Sequence, residues 1–159
     1  MVEFTNMFSI RHTLATIAYR TARAVANAPA AFAGFEAGPA PRTPVQILAH
    51  MGDLMDWALS LVEGNQKWHN STPLPWDEEV ARFFQALQAL DQKVAVVDLS
   101  TETANRLFQG PIADALTHTG QLAMLRRLAG CPIRGENYFV ADIAAGKVGI
   151  DQPAPRKTF

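Results

Sequence analysis

His50, Asp114 and His118 are the residues whose types and spacing point to chemistry. Asp114 and His118 are four apart, so a helix sets them on one face, about one turn or 5.4 Å apart. Two imidazoles and a carboxylate make the donor set of a facial triad, which leaves other positions on a metal open to water or substrate. Gln121 follows one turn beyond His118, where its amide is placed to orient a ligand or bound water rather than to ligate. The spacing D-x-x-x-H occurs often by chance, and the inward placement of all three residues is the stronger sign. The run Leu107, Pro111, Asp114, His118, Gln121, Leu125, Leu128 steps by four and three, as a bundle seam does. These polar groups are therefore expected on the driest line of the longest helix. Each would cost about 1–3 kcal/mol if buried without a partner. A metal ion, a closed hydrogen-bond network or a solvated pocket would each satisfy them. In the network reading, His118 donates to Asp114 or shares a proton with His50, and no metal is needed.

Four helical segments must position this set. The first spans about Met7 to Ala28, with Met7, Ile10, Leu14, Ile17, Thr21 and Ala24 on one seam and Pro29 at its end. A proline- and glycine-bearing loop, residues 29–43, follows, and Phe32 and Phe35 are expected to fold back from it. The second helix starts at Thr43 as N-cap, with Pro44 first in the helix and Gln46 completing a capping box. Its seam is Ile47, His50, Leu54, Trp57 and Leu61, and Gly64 and Asn65 close it. The third begins near Asp77, with three acids in the first turn where the helix dipole favours them, and its seam from Val80 to Val97 is apolar throughout. The fourth covers residues 101–129, with a kink expected at Gly110-Pro111 and a stop at Gly130. A short helix from Tyr138 to Ala145 and an extended tail complete the chain.

Together these make one all-α domain over residues 1–159, a four-helix bundle. The connection between helices two and three has about a dozen residues, enough to cross the bundle's length at about 3.3 Å per residue. A crossover there makes helices two and four antiparallel and brings His50 within about a turn of His118, whereas a parallel pair separates them by roughly 17 Å.

Composition excludes several functions. The 14 basic and 15 acidic residues nearly cancel, which argues against a dedicated nucleic-acid or anionic-membrane surface. No stretch approaches the roughly 20 apolar residues of a membrane span. The Ala- and Arg-rich stretch 11–33 has the look of a targeting peptide, but Arg11, Arg20 and Arg23 break any apolar core and a helical seam runs through it. Cys131 is the single cysteine, so no intrachain disulfide forms and a reducing, cytoplasmic setting is expected. Nothing marks Cys131 as an activated nucleophile. His12 and His69 read as solvated. Tyr19 reads as a core or boundary residue, and Arg126 and Arg127 as partners of a helix C-terminus. There is no phosphate loop, nucleophile elbow or cysteine pair for structural zinc.

The stretches PVQILAHMGDLMDWAL (44–59) and DALTHTGQLAMLRRLAG (114–130) resemble the DinB-like superfamily. Its marks are an inward histidine on the second helix and H-x-x-x-H-x-G-Q on the last. The resemblance spans nearly the whole chain and implies a four-helix bundle with a crossover, a three-ligand divalent metal site and homodimerisation. It makes His50 and His118 metal ligands. Asp114 stands where the family usually has its other histidine. Zinc or nickel is the implied ion, and the harder oxygen ligand also admits iron or manganese. Relatives include enzymes that use a low-molecular-weight thiol, which implies a transferase or isomerase in which the metal stabilises and positions the thiolate of a small-molecule partner. Metal-assisted hydrolysis and a non-catalytic dimeric helical module with a metal-free polar core are the alternatives.

Overall fold

The computed structural model describes residues 2–159, with side chains from Ile10 onward. The described chain is all-helical, without a strand: α1 (Val2–Val25), α2 (Pro44–Val62), α3 (Trp76–Val94), α4 (Thr101–Leu107) and α5 (Ala113–Leu128). Short 3₁₀ turns cover Ala30–Phe32 and Tyr138–Val140, and a π-turn, Phe108–Ile112, joins α4 to α5.

Local sequence explains the helix ends. Thr43 accepts from the Gln46 amide while the Gln46 side chain accepts from the Thr43 amide, satisfying two otherwise orphan donors at the start of α2. Gly64 and Gly130 take φ of +72° and +76° just past α2 and α5, a conformation that glycine adopts without a Cβ clash. Ser100 caps α4 by accepting from the Thr103 amide. Arg126 does more than complement a dipole. Its buried guanidinium donates to the Cys131, Ala24 and Ala26 carbonyls, closing the C-terminal ends of α5 and α1 together.

The seams of α1 and α3 lie in the core as their periodicity requires. Ile10, Leu14, Ile17, Thr21 and Ala24 are buried, as are Val80, Phe83, Leu87, Leu90 and Val94, while Val97 is only partly covered. Met7 on the first seam lies outside the described side chains. Phe32 is buried and stacks edge-on against Trp76, with ring centres 5.5 Å apart, so the loop after α1 packs on the start of α3.

The seam of the last helix differs from expectation. Gly110 leaves helical geometry, with φ −94° and ψ −106°, and Pro111 brings no N–H, so the predicted kink is present. It takes the form of a π-turn, which fits one extra residue into the helix and turns everything beyond it by about 100°. The dry line after the turn is Ile112, Ala115, Thr119 and Leu122, one residue ahead of the expected register. Of the expected seam, Leu107, Pro111, His118 and Leu125 are buried, the last two at the edge of this line, while Asp114 is 45% exposed and Gln121 and Leu128 face solvent. The break also leaves α1, at 24 residues, as the longest helix. The expected helix from Tyr138 to Ala145 shrinks to one 3₁₀ turn. The tail instead folds back so that Asn137 bonds Lys157 and Phe159 bonds Gly135 through the backbone, around a bridge between Glu136 and Thr158.

Specific contacts order the helices. Ile47 shares a cleft wall with Leu125, His50 meets Asp114 and His118, and Trp57 lies against Gly110, so α2 and α5 run in opposite directions. Thr21 meets Thr119 and Ala24 meets Arg126, so α1 and α5 run together. The linker 63–75 returns along α2: Lys67 bonds Ser60, and Ser71 bonds Asp53 two turns nearer the helix start. Among the described residues, no helix is long and apolar enough to cross a membrane.

Candidate metal centre

α2 and α5 bring His50, Asp114 and His118 together. The two oxygens of Asp114 face different rings: Oδ2 is 3.5 Å from His50 Nε2, and Oδ1 is 3.4 Å from His118 Nε2. The imidazoles meet edge to face, with centres 4.9 Å apart, and one potential ligand atom from each residue lies within 4.8 Å of the others. On the far side of the His118 ring, Nδ1 is 2.8 Å from Gln121 Oε1. An amide oxygen only accepts, so Nδ1 donates to it and Nε2 is the ring atom that faces Asp114.

Aromatic rings wall the site. Trp68, from the linker, stands edge-on to His50 at 5.7 Å, and Trp57 stands edge-on to Trp68 at 5.8 Å. Burial lowers the His50 pKa, and repulsion from His118 and Arg42 lowers it further, against the opposing pull of Asp114. His50 is therefore neutral at pH 7, with a lone pair to offer. Two clefts open beside the triad. One, of about 270 Å³, is lined by Arg42, Gln46, His50 and Ser71. The other, of about 280 Å³, has an apolar wall of Ile47, Met124 and Leu125 with Gln121 and Arg42 at its rim.

A second ionic cluster escaped the sequence reading. Asp53, Asp56 and His69 converge closely enough to hold an ion; His69 is exposed, as expected, and also lies 3.0 Å from Asp53 and 3.4 Å from Asp56. This cluster already has its cation. The Arg82 guanidinium pairs with Asp53, with Asp56 at 3.3 Å and with the fully buried Glu79 at 2.7 Å, and it donates to the Ala49 carbonyl. Ser71 gives Asp53 both its hydroxyl and its amide. The cluster ties the linker to α2 and α3. The D-x-x-D spacing of Asp53 and Asp56 was its only sequence sign, and the cation comes from a different helix.

The remaining candidates lie apart from the triad. His12 is exposed, and Tyr19 is fully buried with its hydroxyl donating to Glu136 at 2.7 Å. Cys131 is a partly buried free thiol. Compared with protein-family models, with curated proteins and with solved structures, the chain gives no match.

Proposed function

We propose that this chain is a DinB-like metal-binding protein in which His50, Asp114 and His118 hold one divalent cation. The spacing of the donor atoms carries the reading. A closed network would join Asp114 to its histidines by hydrogen bonds of about 2.7–2.9 Å. The observed 3.4 and 3.5 Å, one to each Asp114 oxygen, are longer than that, and ligand atoms of all three residues lie within 4.8 Å of one another, which favours an ion among them over a closed network. The unlike donor set of two imidazoles and a carboxylate suits zinc or nickel and admits iron or manganese. The opposed order of α2 and α5 and the return of the linker along α2 support a four-helix bundle with its crossover at residues 63–75.

The function that fits best is a thiol-dependent transfer or isomerisation on a small molecule. A bound cation would supply Lewis acidity, lowering the pKa of a low-molecular-weight thiol and holding its sulfur in place. The protein's residues set the conditions. Burial keeps His50 neutral, Gln121 orients the His118 ring, and Trp68 packs edge-on against the His50 ring. Asp114 is the most exposed of the three, and His50 lines one of the clefts that would admit thiol and substrate. A homodimer in the cytoplasm belongs to the same reading.

Elemental analysis of the purified chain tests the metal. The expected result is a bound transition metal that His118→Ala loses while the fold, followed by circular dichroism, persists. Equal metal content in both proteins overturns the site. Metal retention with turnover that requires added thiol supports the transferase reading. Thiol-independent hydrolysis would make the protein a metal-dependent hydrolase. A folded dimer that never takes up metal would make it a non-catalytic module with a polar core.

A further inference from the structure

The cleft between α1, α5 and the segment after Cys131 holds a cation with no ionic partner among the described residues. It encloses about 320 Å³ and is lined by Thr16, Arg20, Thr119, Gly120, Ile133 and Tyr138. The Arg20 guanidinium lies over the Tyr138 ring, 3.9 Å from its centre. Its Nε is shut off from bulk solvent and has no hydrogen-bond partner.

The neighbouring arginines differ. Arg11 pairs twice with Asp91, Arg23 pairs with Glu136 and Tyr19, and Arg126 caps carbonyls. Glu136, whose charge reaches Tyr138, is already taken by Arg23 and the Tyr19 hydroxyl. The Thr16 and Thr119 hydroxyls are also occupied, each donating to a carbonyl one turn back on its own helix. No carboxylate lines the cleft. A guanidinium stacked on a ring keeps its fork of donors in one plane, which matches the paired oxygens of a carboxylate or phosphate. Among the described residues, the Trp57 indole N–H is the other buried side-chain donor without a partner, and Arg20 is the one of the two that carries a charge and lines a cleft, where a bound anion would supply the missing partner.

We infer that this cleft is an anion-binding site, in which Arg20, held on Tyr138, receives the carboxylate or phosphate of a small molecule whose apolar part lies on Leu116, Ala123 and Ile133. The volume is at the lower end of the range for small-molecule sites. The site is separate from the metal centre. Gly120 is two residues beyond His118, which puts it about 200° around α5 and on another face. Gly120 borders open space, since a Cβ there would meet no other atom within 4 Å.

The test is a titration of the ¹⁵N-labelled full chain with butyrate and, separately, with inorganic phosphate, following the Arg20 side-chain Nε–H and the amides of Gly120 and Tyr138. Saturable shifts confined to these signals are expected, from butyrate if an organic carboxylate is the ligand and from phosphate if a phosphoryl group is. Arg20→Gln should abolish saturation, weakening binding at least tenfold. Gly120→Leu, which fills the cleft and keeps the cation, should do the same, and it stands in should Arg20→Gln fail to fold. Shifts that do not saturate with either anion, or that persist unchanged in the folded variants, overturn the proposal. Metal content is unaffected by either result, so this site and the metal centre stand or fall separately.

Discussion

Asp114 decides how the triad behaves toward metal and protons. It supplies the one anionic donor and both of its oxygens face histidines, so Asp114→Asn should weaken metal retention by an order of magnitude or more at neutral pH, measured against a competing chelator. Asp114→His would give three nitrogen donors and shift preference toward softer zinc- or nickel-like ions. Protons compete for the same lone pairs, so occupancy should fall as pH drops through the histidine range near about 6.5. Because His50 protonates below its ordinary value, its loss of metal should come on the acid side of that range. Occupancy that stays flat from pH 8 to 5 would count against the site. Gln121→Leu should leave the fold intact and loosen the metal, since it removes only the acceptor that fixes the His118 ring. The convergence of His50, Asp114 and His118 was legible because the four-residue step from Asp114 to His118 survives a shift of register, whereas the inward placement expected of Asp114 and Gln121 did not survive it. Arg42 and Trp68 were not, because both reach the site from irregular segments without periodicity.

The helices show where register was legible and where it failed. α1 and α3 run unbroken, so a period of 3.6 read at one end still holds at the other, and Ile10 to Ala24 and Val80 to Val94 fall in the core. The last helix contains Gly110-Pro111, and a seam extended through that pair misses the extra residue of the π-turn. Leu128 was thus expected inside and is 59% exposed, while Leu122 was overlooked and is fully buried. The cap of α2 was readable because Thr43 and Gln46 are local; Thr43→Ala should cost about 1 kcal/mol in chemical denaturation. Arg82 joins α2, α3 and the linker, and its removal strands two buried carboxylates. Arg82→Met should destabilise the fold by about 3–5 kcal/mol, and a loss under 1 kcal/mol would show that the network contributes little.

At the scale of the whole molecule, the same network sets the acid limit of stability. Burial alone would raise the Asp53 pKa, but the Ser71 hydroxyl and amide and the Arg82 guanidinium outweigh it and hold it below the ordinary carboxylate value. A carboxylate with a depressed folded-state pKa stabilises the protein fully above its unfolded value, near about 3.9, and stops doing so as pH falls through the lower folded value. The unfolding midpoint in urea should therefore hold above about pH 5 and drop below about pH 4, with Asp53→Asn less stable at neutral pH and flatter in acid.

The first helix is sewn to the segment that follows Cys131. Arg23 on α1 bonds Glu136 and the Pro153 carbonyl, and Tyr19 bonds Glu136, so partners meet across more than a hundred residues of sequence. During synthesis the first helix thus emerges long before the groups that satisfy its part-buried Arg23 and buried Tyr19, and it must wait for residues 136–153. A nascent chain halted at Gly130 would carry every main helix and still lack this closure. It should be readily digested by protease under conditions where the released full-length protein is resistant.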